Sequence, residues 1–376
     1  MSIQIKEVVT KQDLKQFIKF PFNLYSKNKY WIPPLIGEEQ KNFSKEKNPA
    51  FEFCESCLWI AQSDHKVVGR IAGIINKRYN EKVGKNVARF GYVDFIDDEE
   101  VSSKLFSTAE SWARAKGCTS IHGPLGFTDM DPEGMLVEGF EEYGTIATIY
   151  NFPYYPMHAE KHGYQKDIDW IEYELLTPKS IPDKVEKLAQ AVAERYNLKV
   201  LEVKNQKQLL PYAHEIFHVL NSAYENIYGF VQLTEKQIDL YVKQYFGFIK
   251  PGFVPVILNN KNEVVGFGIT MPSLSLAFQK AKGRLFPFGF IHLLRAVKKN
   301  DRADLYLTGV RPDYQDKGVN AMLMYEVTKV FINQKIIWVE SNPELETNMK
   351  VRAQWRFYEG RQHKRRRCYI KNLSNG

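Results

Sequence analysis

The chain carries one pattern of strands and helices twice, and this duplication limits the possible folds more than any other feature. Residues 58–62 and 67–76 are β-branched runs on either side of a polar turn, and residues 253–258 and 264–271 repeat the arrangement. Such pairs predict β-hairpins, and the second strand of each begins with Val-Val-Gly. A whole unit repeated at long spacing indicates tandem domains rather than a solenoid.

The elements around each hairpin also repeat. A strand and a helix are predicted before each hairpin. A strand, an amphipathic helix and another strand follow it, at residues 87–95, 99–116 and 119–123 in the first half and at residues 303–310, 318–333 and 335–340 in the second. Two prolines bracket a polar turn at residues 177–182 and mark the boundary. We therefore predict an α/β (α+β) fold of two domains, residues 1–177 and 178–376, each a mixed, mostly antiparallel sheet flanked by helices.

Composition excludes several classes of protein. Apolar residues make up 44% of the chain and charged residues 26%, as in ordinary globular proteins. No apolar run reaches the roughly 18 residues of a membrane-spanning helix, and the first residues lack the apolar core of a signal peptide. Four cysteines in 376 residues are too few for a disulfide scaffold. We expect a cytoplasmic protein without a membrane span, whose net charge of +8 suits anionic ligands.

The motif that carries chemistry follows the strand at residues 303–310. From Arg311 onward the chain reads RPDYQDKGVNAML, a tight turn with a glycine that leads into an amphipathic helix. The first amides of a helix have no partner within the helix, and the helix dipole adds positive potential there. The turn therefore predicts an anion cradle in which Gly318 lets the backbone approach a pyrophosphate and Arg311 and Lys317 add charge. The alternative is a plain helix-capping turn.

This strand, turn and helix resemble the CoA-binding motif of the GNAT acyltransferase superfamily, Val-x-Pro-x-x-Gln/Arg-x-x-Gly-x-Gly/Ala. Val310, Pro312, Gln315 and Gly318 match the motif, whereas Asn320 stands where the superfamily has Gly or Ala. The resemblance implies that the turn binds the pyrophosphate of acetyl-CoA or another acyl-CoA and that the preceding strand pairs with its pantetheine arm. The residues that it implies for cofactor binding are Leu307, Val310, Gln315, Lys317, Gly318, Val319, Asn320 and, early on the next helix, Asn348.

Further motifs extend the resemblance over nearly the whole chain, to a group of bacterial tandem-GNAT proteins. They include FPFNLY at residues 20–25, YWIPPL at residues 30–35, HGP at residues 122–124 and NIYGF at residues 226–230. The first half lacks the glycine cradle, because residues 95–100 read FIDDEE and four carboxylates would repel a pyrophosphate. We therefore predict that only the C-terminal domain binds CoA.

The resemblance implies direct transfer of an acyl group from the thioester to an amine. Such a reaction needs a base for the ammonium proton, an N–H group for the oxyanion and an acid for the thiolate. We predict Glu340, at the end of a strand, as the base, and Tyr358 as a second catalytic residue, since Trp355 occupies the place where the superfamily often has a tyrosine. The alternatives are a solvated strand end for Glu340 and a half-buried core tyrosine for Tyr358.

Two motifs are typical of metal sites but have ordinary explanations. Residues 214–218 read HEIFH, which on a helix would present two histidines to zinc, but no third ligand follows at a suitable spacing. Cys54 and Cys57 form a single C-x-x-C pair before a strand, in which their side chains point to opposite faces. We expect no metal site, and exposed histidines on the helix.

Three charged or apolar segments leave alternatives open. The acidic loop at residues 129–133 could receive a cationic amine or be solvated. The basic run KRRR at residues 364–367 could bind RNA or acidic lipid, but we favour a solvated edge strand of the second domain and do not expect nucleic acid as a partner. Residues 283–294, inserted in the second half, form either a short buried helix or an exposed wall for an acyl chain or a membrane.

The function that we predict is acyl-CoA-dependent N-acyltransfer to a small-molecule or peptide amine, with acyl-CoA as co-substrate and no metal. Two alternatives remain on the same scaffold. One is a transferase that uses aminoacyl-tRNA as donor, which the basic run and the net charge would serve. The other is a non-enzymatic binding protein, in which Asn320 and Trp355 mark lapsed chemistry.

Overall fold

The computed structural model describes residues 2–245 and 249–374. The chain divides into two compact units, each built from separate stretches of sequence. Unit 1 comprises Met1–Ile171, Ser275–His292 and His363–Gly376, and unit 2 comprises Glu172–Leu274 and Leu293–Gln362. The sequence-based boundary between residues 177 and 178 assumes two contiguous domains. In the structure, two segments beyond this boundary, Ser275–His292 and His363–Gly376, belong to unit 1.

The described residues form strands and helices in the following order. The strands are β1 (Gln4–Glu7), β2 (Cys54–Ser63), β3 (Lys66–Asn76), β4 (Val87–Phe95), β5 (Ser120–Gly123), β6 (Met135–Glu138), β7 (Gln165–Leu176), β8 (Lys199–Val200), β9 (Val256–Leu258), β10 (Val264–Pro272), β11 (Arg302–Val310), β12 (Trp338–Ser341), β13 (Glu344–Leu345) and β14 (Gly360–Asn372). The helices are α1 (Lys11–Leu24), α2 (Ile36–Asn42), α3 (Lys77–Val83), α4 (Glu99–Ala115), α5 (Tyr154–Lys161), α6 (Asp183–Tyr196), α7 (Gln206–Leu209), α8 (Ala213–Ala223), α9 (Glu235–Tyr245), α10 (Ser275–Ala281), α11 (Gly289–Lys298), α12 (Val319–Asn333) and α13 (Met349–Arg352).

Unit 1 is built on a sheet with the strand order β1-β2-β3-β4-β5-β14 followed by the first half of β7. The strands β4 and β5 run parallel, whereas the pairs β1–β2, β2–β3, β3–β4 and β5–β14 are antiparallel. Helix α4 begins at the N-cap Asp98, whose side chain accepts hydrogen bonds from the amides of Glu100 and Val101. Its buried residues include Val101, Leu105, Ala109 and Ala113, which lie on one face, as expected for the amphipathic helix predicted at residues 99–116.

Unit 2 repeats this plan with the order β12-β11-β10-β9-β8 beside the second half of β7. The strands β11 and β12 are parallel, and β8 to β11 form antiparallel pairs. Helix α12 buries Leu323, Val327 and Phe331, as its periodicity predicts. The fold class is therefore confirmed: both units carry a mixed, mostly antiparallel sheet flanked by helices, with equivalent strands in the same order.

The basic run does not lie on a solvated edge strand, and this expectation was wrong. It belongs to β14, which pairs with β5 and β6 inside the sheet of unit 1. Lys364 and Arg366 are only 1% and 0% exposed. Their side chains donate to the carbonyl oxygens of Tyr143 and Ile149, while Arg367 and Arg365 bind the buried Asp169. Within unit 1, Lys364 and Arg366 thus donate hydrogen bonds to loop carbonyl oxygens, and Arg365 and Arg367 pair with Asp169.

Replacing Arg366 with Ala should lower the free energy of unfolding by about 3 kcal/mol, because the carbonyl of Ile149 loses its donor and the removal of a large, fully buried side chain leaves a cavity. Chemical denaturation followed by circular dichroism measures the loss. Lys85→Ala, at an exposed position of unit 1, is the control and should change stability little. Equal stability of the two variants would show that the arginine has no structural role.

Candidate functional site

In both units the two parallel strands pair at their beginning and then part. In unit 2 the register of β11 and β12 runs from Arg302–Trp338 to Leu305–Ser341, but β11 continues to Val310. In unit 1 the strand β4 pairs with β5 up to Arg89 and continues to Phe95. Backbone N–H and C=O groups beyond the last pair lie at a gap in the sheet, where they need another partner.

A β-bulge in the longer strand accompanies each gap. Between β10 and β11 the register shifts from Ile269–Leu307 to Thr270–Leu305, which leaves Tyr306 as the extra residue. Between β3 and β4 it shifts from Arg70–Asp94 to Ala72–Gly91, and here Tyr92 has a positive φ of 47°. A bulge bends its strand and redirects the backbone groups that follow, so both gaps have the same local cause.

The gap of unit 1 is filled by side chains. The hydroxyl of Tyr154 donates to the carbonyl oxygen of Phe95 over 2.6 Å, and the hydroxyl of Tyr155 accepts from the amide of the same residue over 3.0 Å. Asp94 binds Arg70 and accepts from the hydroxyl of Tyr25. All these groups except Tyr154 are buried, so the end of β4 is closed by a network of phenols and an ion pair.

The gap of unit 2 is filled less completely. The hydroxyl of Tyr224, which follows α8, donates to the carbonyl oxygen of Thr308 over 3.0 Å and lies 3.4 Å from its amide. The side-chain amide of Gln315 donates to the carbonyl oxygen of Val310 over 3.1 Å. These bonds lie at partly exposed positions on the free edge of β11. They close that edge with one side chain at each position, in contrast to the buried network of unit 1.

The turn that the sequence predicts as an anion cradle lies next to this gap. Residues Pro312–Tyr314 form a 3-10 turn, and Gly318 is the N-cap of α12 with a φ of +83°. A β-carbon on Gly318 would lie 2.8 Å from Cγ2 of Val192 on α6, so glycine is required by the backbone conformation and by the neighbouring helix. Val319 is buried against that helix, and Asn320 is exposed beside the amides of the first turn.

The charges around the cradle are partly neutralised within it. The guanidinium of Arg311 binds both carboxylate oxygens of Asp313, at 2.7 and 2.9 Å, and Glu263 at 3.2 Å. The ammonium of Lys317 lies over the rings of Tyr314 and Tyr196, 4.9 and 5.4 Å from their centroids. Positive potential at the turn therefore comes from Lys317 and from the start of α12 rather than from Arg311.

The other predicted residues occupy different surroundings. Leu307 lies on β11 at the gap, whereas Asn348 is the N-cap of α13 and accepts from the amide of Val351. Glu340 lies on β12 in register with Asp304, and it is partly exposed. The hydroxyl of Tyr358 lies 3.1 Å from Oγ1 of Thr328 within a hydrophobic cluster, and burial raises the pKa of this phenol. The structure thus gathers the residues of β11, the turn and α12, and sets Asn348 and Tyr358 on other elements.

Glu344 is a candidate that the sequence did not reveal. The chain after β12 is tied to the bulge, since the backbone and side-chain amides of Asn342 donate to the carbonyl oxygens of Leu305 and Tyr306. Glu344 follows on β13, and both of its oxygens accept from Nε1 of Trp355 at 3.0 Å. Burial raises the pKa of its carboxyl to about 8. No local motif marks this residue, because its partner comes from a later element.

The metal-like motifs have other partners. His214 and His218 bind Glu235 at 3.1 and 2.8 Å, and Glu215 accepts from the amide of Val264. Cys54 packs in one hydrophobic cluster of unit 1 and Cys57 against another, as expected for opposite faces of β2. Elsewhere in the described part of unit 1, the side chains of His122, Asp167 and Cys368 each place one possible ligand atom within 4.8 Å of the others.

The fold is similar to that of solved tandem GNAT proteins. The structure of a tandem GNAT protein from the clavulanic acid biosynthesis pathway covers 100% of this chain and is itself covered in full, with a TM-score of 0.57 and 11% identity. A GCN5-related N-acetyltransferase from Sphaerobacter thermophilus covers 100% of this chain, which covers 96% of it, with a TM-score of 0.52 and 10% identity. At such identities the likeness concerns the fold alone.

Sequence comparison gives the family. Protein YghO from Escherichia coli is 30% identical in an alignment 376 residues long that covers 98% of this chain and 95% of that protein. The chain therefore belongs to the family of Protein YghO. A bacterial ceramide synthase from Caulobacter vibrioides is 29% identical in an alignment 336 residues long that covers 87% of this chain and 85% of the relative. No protein-family model matches the sequence.

The raised pKa of Glu344 predicts a pH dependence of stability. A carboxyl with a pKa of about 8 in the folded state and an ordinary value of 4.5 keeps its proton in the folded chain while the unfolded chain loses it. Stability should therefore fall as the pH rises from about 4.5 to 8. Glu344→Gln should flatten this slope and raise the melting temperature at pH 8 by several degrees, as measured by calorimetry.

Glu263→Gln is the control, since the pKa of this exposed carboxyl is lowered by Asn259 and Arg311. It should leave the slope between pH 5 and 8 as in the parent protein. A Glu344→Gln variant with an unchanged slope would contradict the raised pKa.

Proposed function

We propose that this protein is an acyl-CoA-dependent N-acyltransferase that binds CoA in unit 2. The observation that carries the proposal is the gap between β11 and β12 beside the turn at Gly318. A strand edge with accessible N–H and C=O groups suits the amide-rich pantetheine arm, and the start of α12 suits the pyrophosphate. The two features adjoin in one continuous segment, Leu307 to Asn320.

Binding at this edge requires the release of two hydrogen bonds. The hydroxyl of Tyr224 and the side-chain amide of Gln315 hold the Thr308 and Val310 carbonyls that the arm would use. Each such bond contributes about 1 kcal/mol, which a CoA molecule can replace with bonds of its own. Lys317, Val319 and Asn320 then line the pyrophosphate end, the first through its charge and the other two through their amides.

For unit 1 we propose the opposite role, a GNAT-like unit that does not bind CoA. Tyr154 and Tyr155 already hold both backbone groups of Phe95. Opening this gap would expose the buried Arg70–Asp94 pair, and breaking such a pair costs about 3–5 kcal/mol. The helix that follows begins with acidic residues, which disfavour an anion there.

The proposed mechanism is direct attack of a neutral amine on the thioester carbonyl. The C–N bond forms, the C–S bond breaks, and the amine proton passes to a base while the thiolate leaves. Glu344 is the base that we propose, since Asn342, two residues before it, is bonded to the bulge of β11, and its pKa of about 8 suits the removal of a proton from an ammonium group. The sequence-predicted residues Glu340 and Tyr358 remain candidates for the base and for the acid that protonates the thiolate.

For the acceptor we propose a long-chain amino alcohol. The support is the relative named bacterial ceramide synthase, because a ceramide is the amide of a fatty acid with such an amine. Transfer of a fatty acyl group from CoA to this amine would be N-acylation, the reaction class that the fold suggests. The tRNA-dependent alternative has lost its main support, since Lys364 and Arg366 of the basic run are buried.

The cradle assignment is tested at Asn320 rather than at Gly318, whose replacement would also disturb α6. Asn320→Glu adds a negative charge to the first turn of α12, which stabilises the helix but repels a pyrophosphate. We expect the affinity for acyl-CoA to fall at least about tenfold in isothermal titration calorimetry. The neutral variant Asn320→Gln should bind within about threefold of the parent protein. Equal loss in both variants, or none in either, would place CoA elsewhere.

The reaction is tested by the release of free CoA thiol from a fatty acyl-CoA in the presence of a long-chain amino alcohol. The rate should rise with pH and level off above about 8, as the carboxyl of Glu344 loses its proton. Glu344→Gln should lower kcat at least about a hundredfold and remove this dependence. A short primary amine in place of the long one tests the acceptor class separately. If no CoA thiol is released in the presence of either amine, the proposal is overturned.

A further inference from the structure

Several large apolar side chains in the segment at residues 276–290 are exposed to solvent. Phe286 is 77% exposed and Phe288 71% exposed, with Leu276 and Phe290 at 45% and 37%. The rings of Phe286 and Phe290 lie 5.8 Å apart and form one surface. Single exposed hydrophobic residues are common, but a contiguous group of this kind marks a binding surface.

The segment that carries these exposed side chains is hydrogen-bonded to other parts of unit 1. The carbonyl oxygen of Gly283 accepts from the amide of Ile36, and a β-carbon on that glycine would lie 2.9 Å from the carbonyl oxygen of Pro34. The side chain of Gln279 donates to the carbonyl oxygens of Lys29 and Trp31. These contacts fix the chain just before the exposed rings to unit 1.

The charge around these rings is mostly positive, and Glu38, the acidic residue that borders the adjacent groove, is paired with Lys41. Residues 273–300 contain six basic residues and no aspartate or glutamate. Lys280, Lys282 and Arg284 are exposed next to the rings. Beside them runs an open groove of about 480 Å³ with apolar walls from Ile18, Ile36 and Leu285, and Lys15 and Lys19 also border it. Aromatic rings surrounded by cations suit a bilayer whose headgroups are anionic.

We propose that residues 276–290 form a docking surface for an anionic lipid bilayer, with the rings of Phe286 and Phe288 at the headgroup level. No helix in the described part of the chain is long and apolar enough to cross a membrane, so the contact is peripheral. The surface lies within unit 1, and its use does not require acyl transfer by unit 2. The proposal therefore stands or falls separately from the proposed enzymatic function.

Sedimentation of the full-length protein with vesicles tests the apolar part of this surface. The parent protein should pellet with vesicles of phosphatidylcholine and phosphatidylglycerol in equal parts, and bind vesicles of phosphatidylcholine alone at least about tenfold more weakly. Phe286→Ser with Phe288→Ser should lower the partition coefficient at least about tenfold. Val9→Ser with Met157→Ser, at positions of similar exposure in unit 1, is the matched control and should bind as the parent protein does.

A second pair of variants tests the charge. Lys282→Glu with Arg284→Glu should weaken binding about twentyfold, since each basic residue near an anionic surface contributes roughly fivefold. Lys45→Glu with Lys85→Glu changes the net charge equally at exposed positions away from the segment, and should weaken binding about threefold at most. Inorganic phosphate at matched ionic strength should displace the protein no better than chloride does.

Four results would overturn the proposal. The parent protein could stay in the supernatant with anionic vesicles, or the phenylalanine variant could bind as well as the parent. Phosphate could displace the protein where chloride does not, which would reduce the surface to a phosphate site. Size-exclusion chromatography without lipid could show an oligomer that the phenylalanine variant dissociates, in which case a second copy of the chain covers the rings.

Discussion

The parting of two parallel strands is the constraint on which the rest of each unit depends. Once β11 leaves β12 after Leu305, and β4 leaves β5 after Arg89, the backbone groups that follow must be satisfied by something other than a strand. Unit 1 satisfies them with the phenols of Tyr154 and Tyr155, and the buried Tyr155 also donates to Asp94 of the Arg70–Asp94 pair. Unit 2 uses Tyr224 and Gln315 at partly exposed positions. The same strand geometry thus produces a gap closed by a buried network in unit 1 and a gap closed by two partly exposed side chains in unit 2.

The sequence predicted the parts of the fold that local patterns determine. Residues 87–95 were predicted as a strand and form β4, and the helix after Gly318 begins where the glycine motif places it. The pairing of distant elements has no such local signal. The basic run was expected at a solvated edge because charged side chains rarely lie inside a sheet. In the structure Lys364 and Arg366 are buried because carbonyl oxygens of a distant loop accept their hydrogen bonds.

The candidate site shows the same division. The segment from Leu307 to Asn320 is continuous, so its residues could be identified together from one motif. The position of Gly318 against Val192 could not, since α6 precedes it by more than a hundred residues. This packing gives the glycine two roles, because the turn conformation and the approach of α6 both exclude a β-carbon. A glycine of this motif can therefore be needed both for core packing and for ligand binding. Substitution of the exposed Asn320 tests ligand binding without changing the core packing.

The contacts of Trp355 in the structure indicate a role that the sequence does not suggest. It stands where the resembling superfamily often has a tyrosine, and this difference by itself suggests a protein without catalytic activity. Its indole N–H, however, can only donate, and it donates to both oxygens of Glu344. That bond favours the ionised carboxylate, whereas burial favours the neutral acid, and burial prevails. The outcome is a carboxyl group that is oriented by a fixed donor and loses its proton near neutral pH. In this chain, the proposed proton transfer by the carboxylate of Glu344 on β13 therefore does not require the usual phenol.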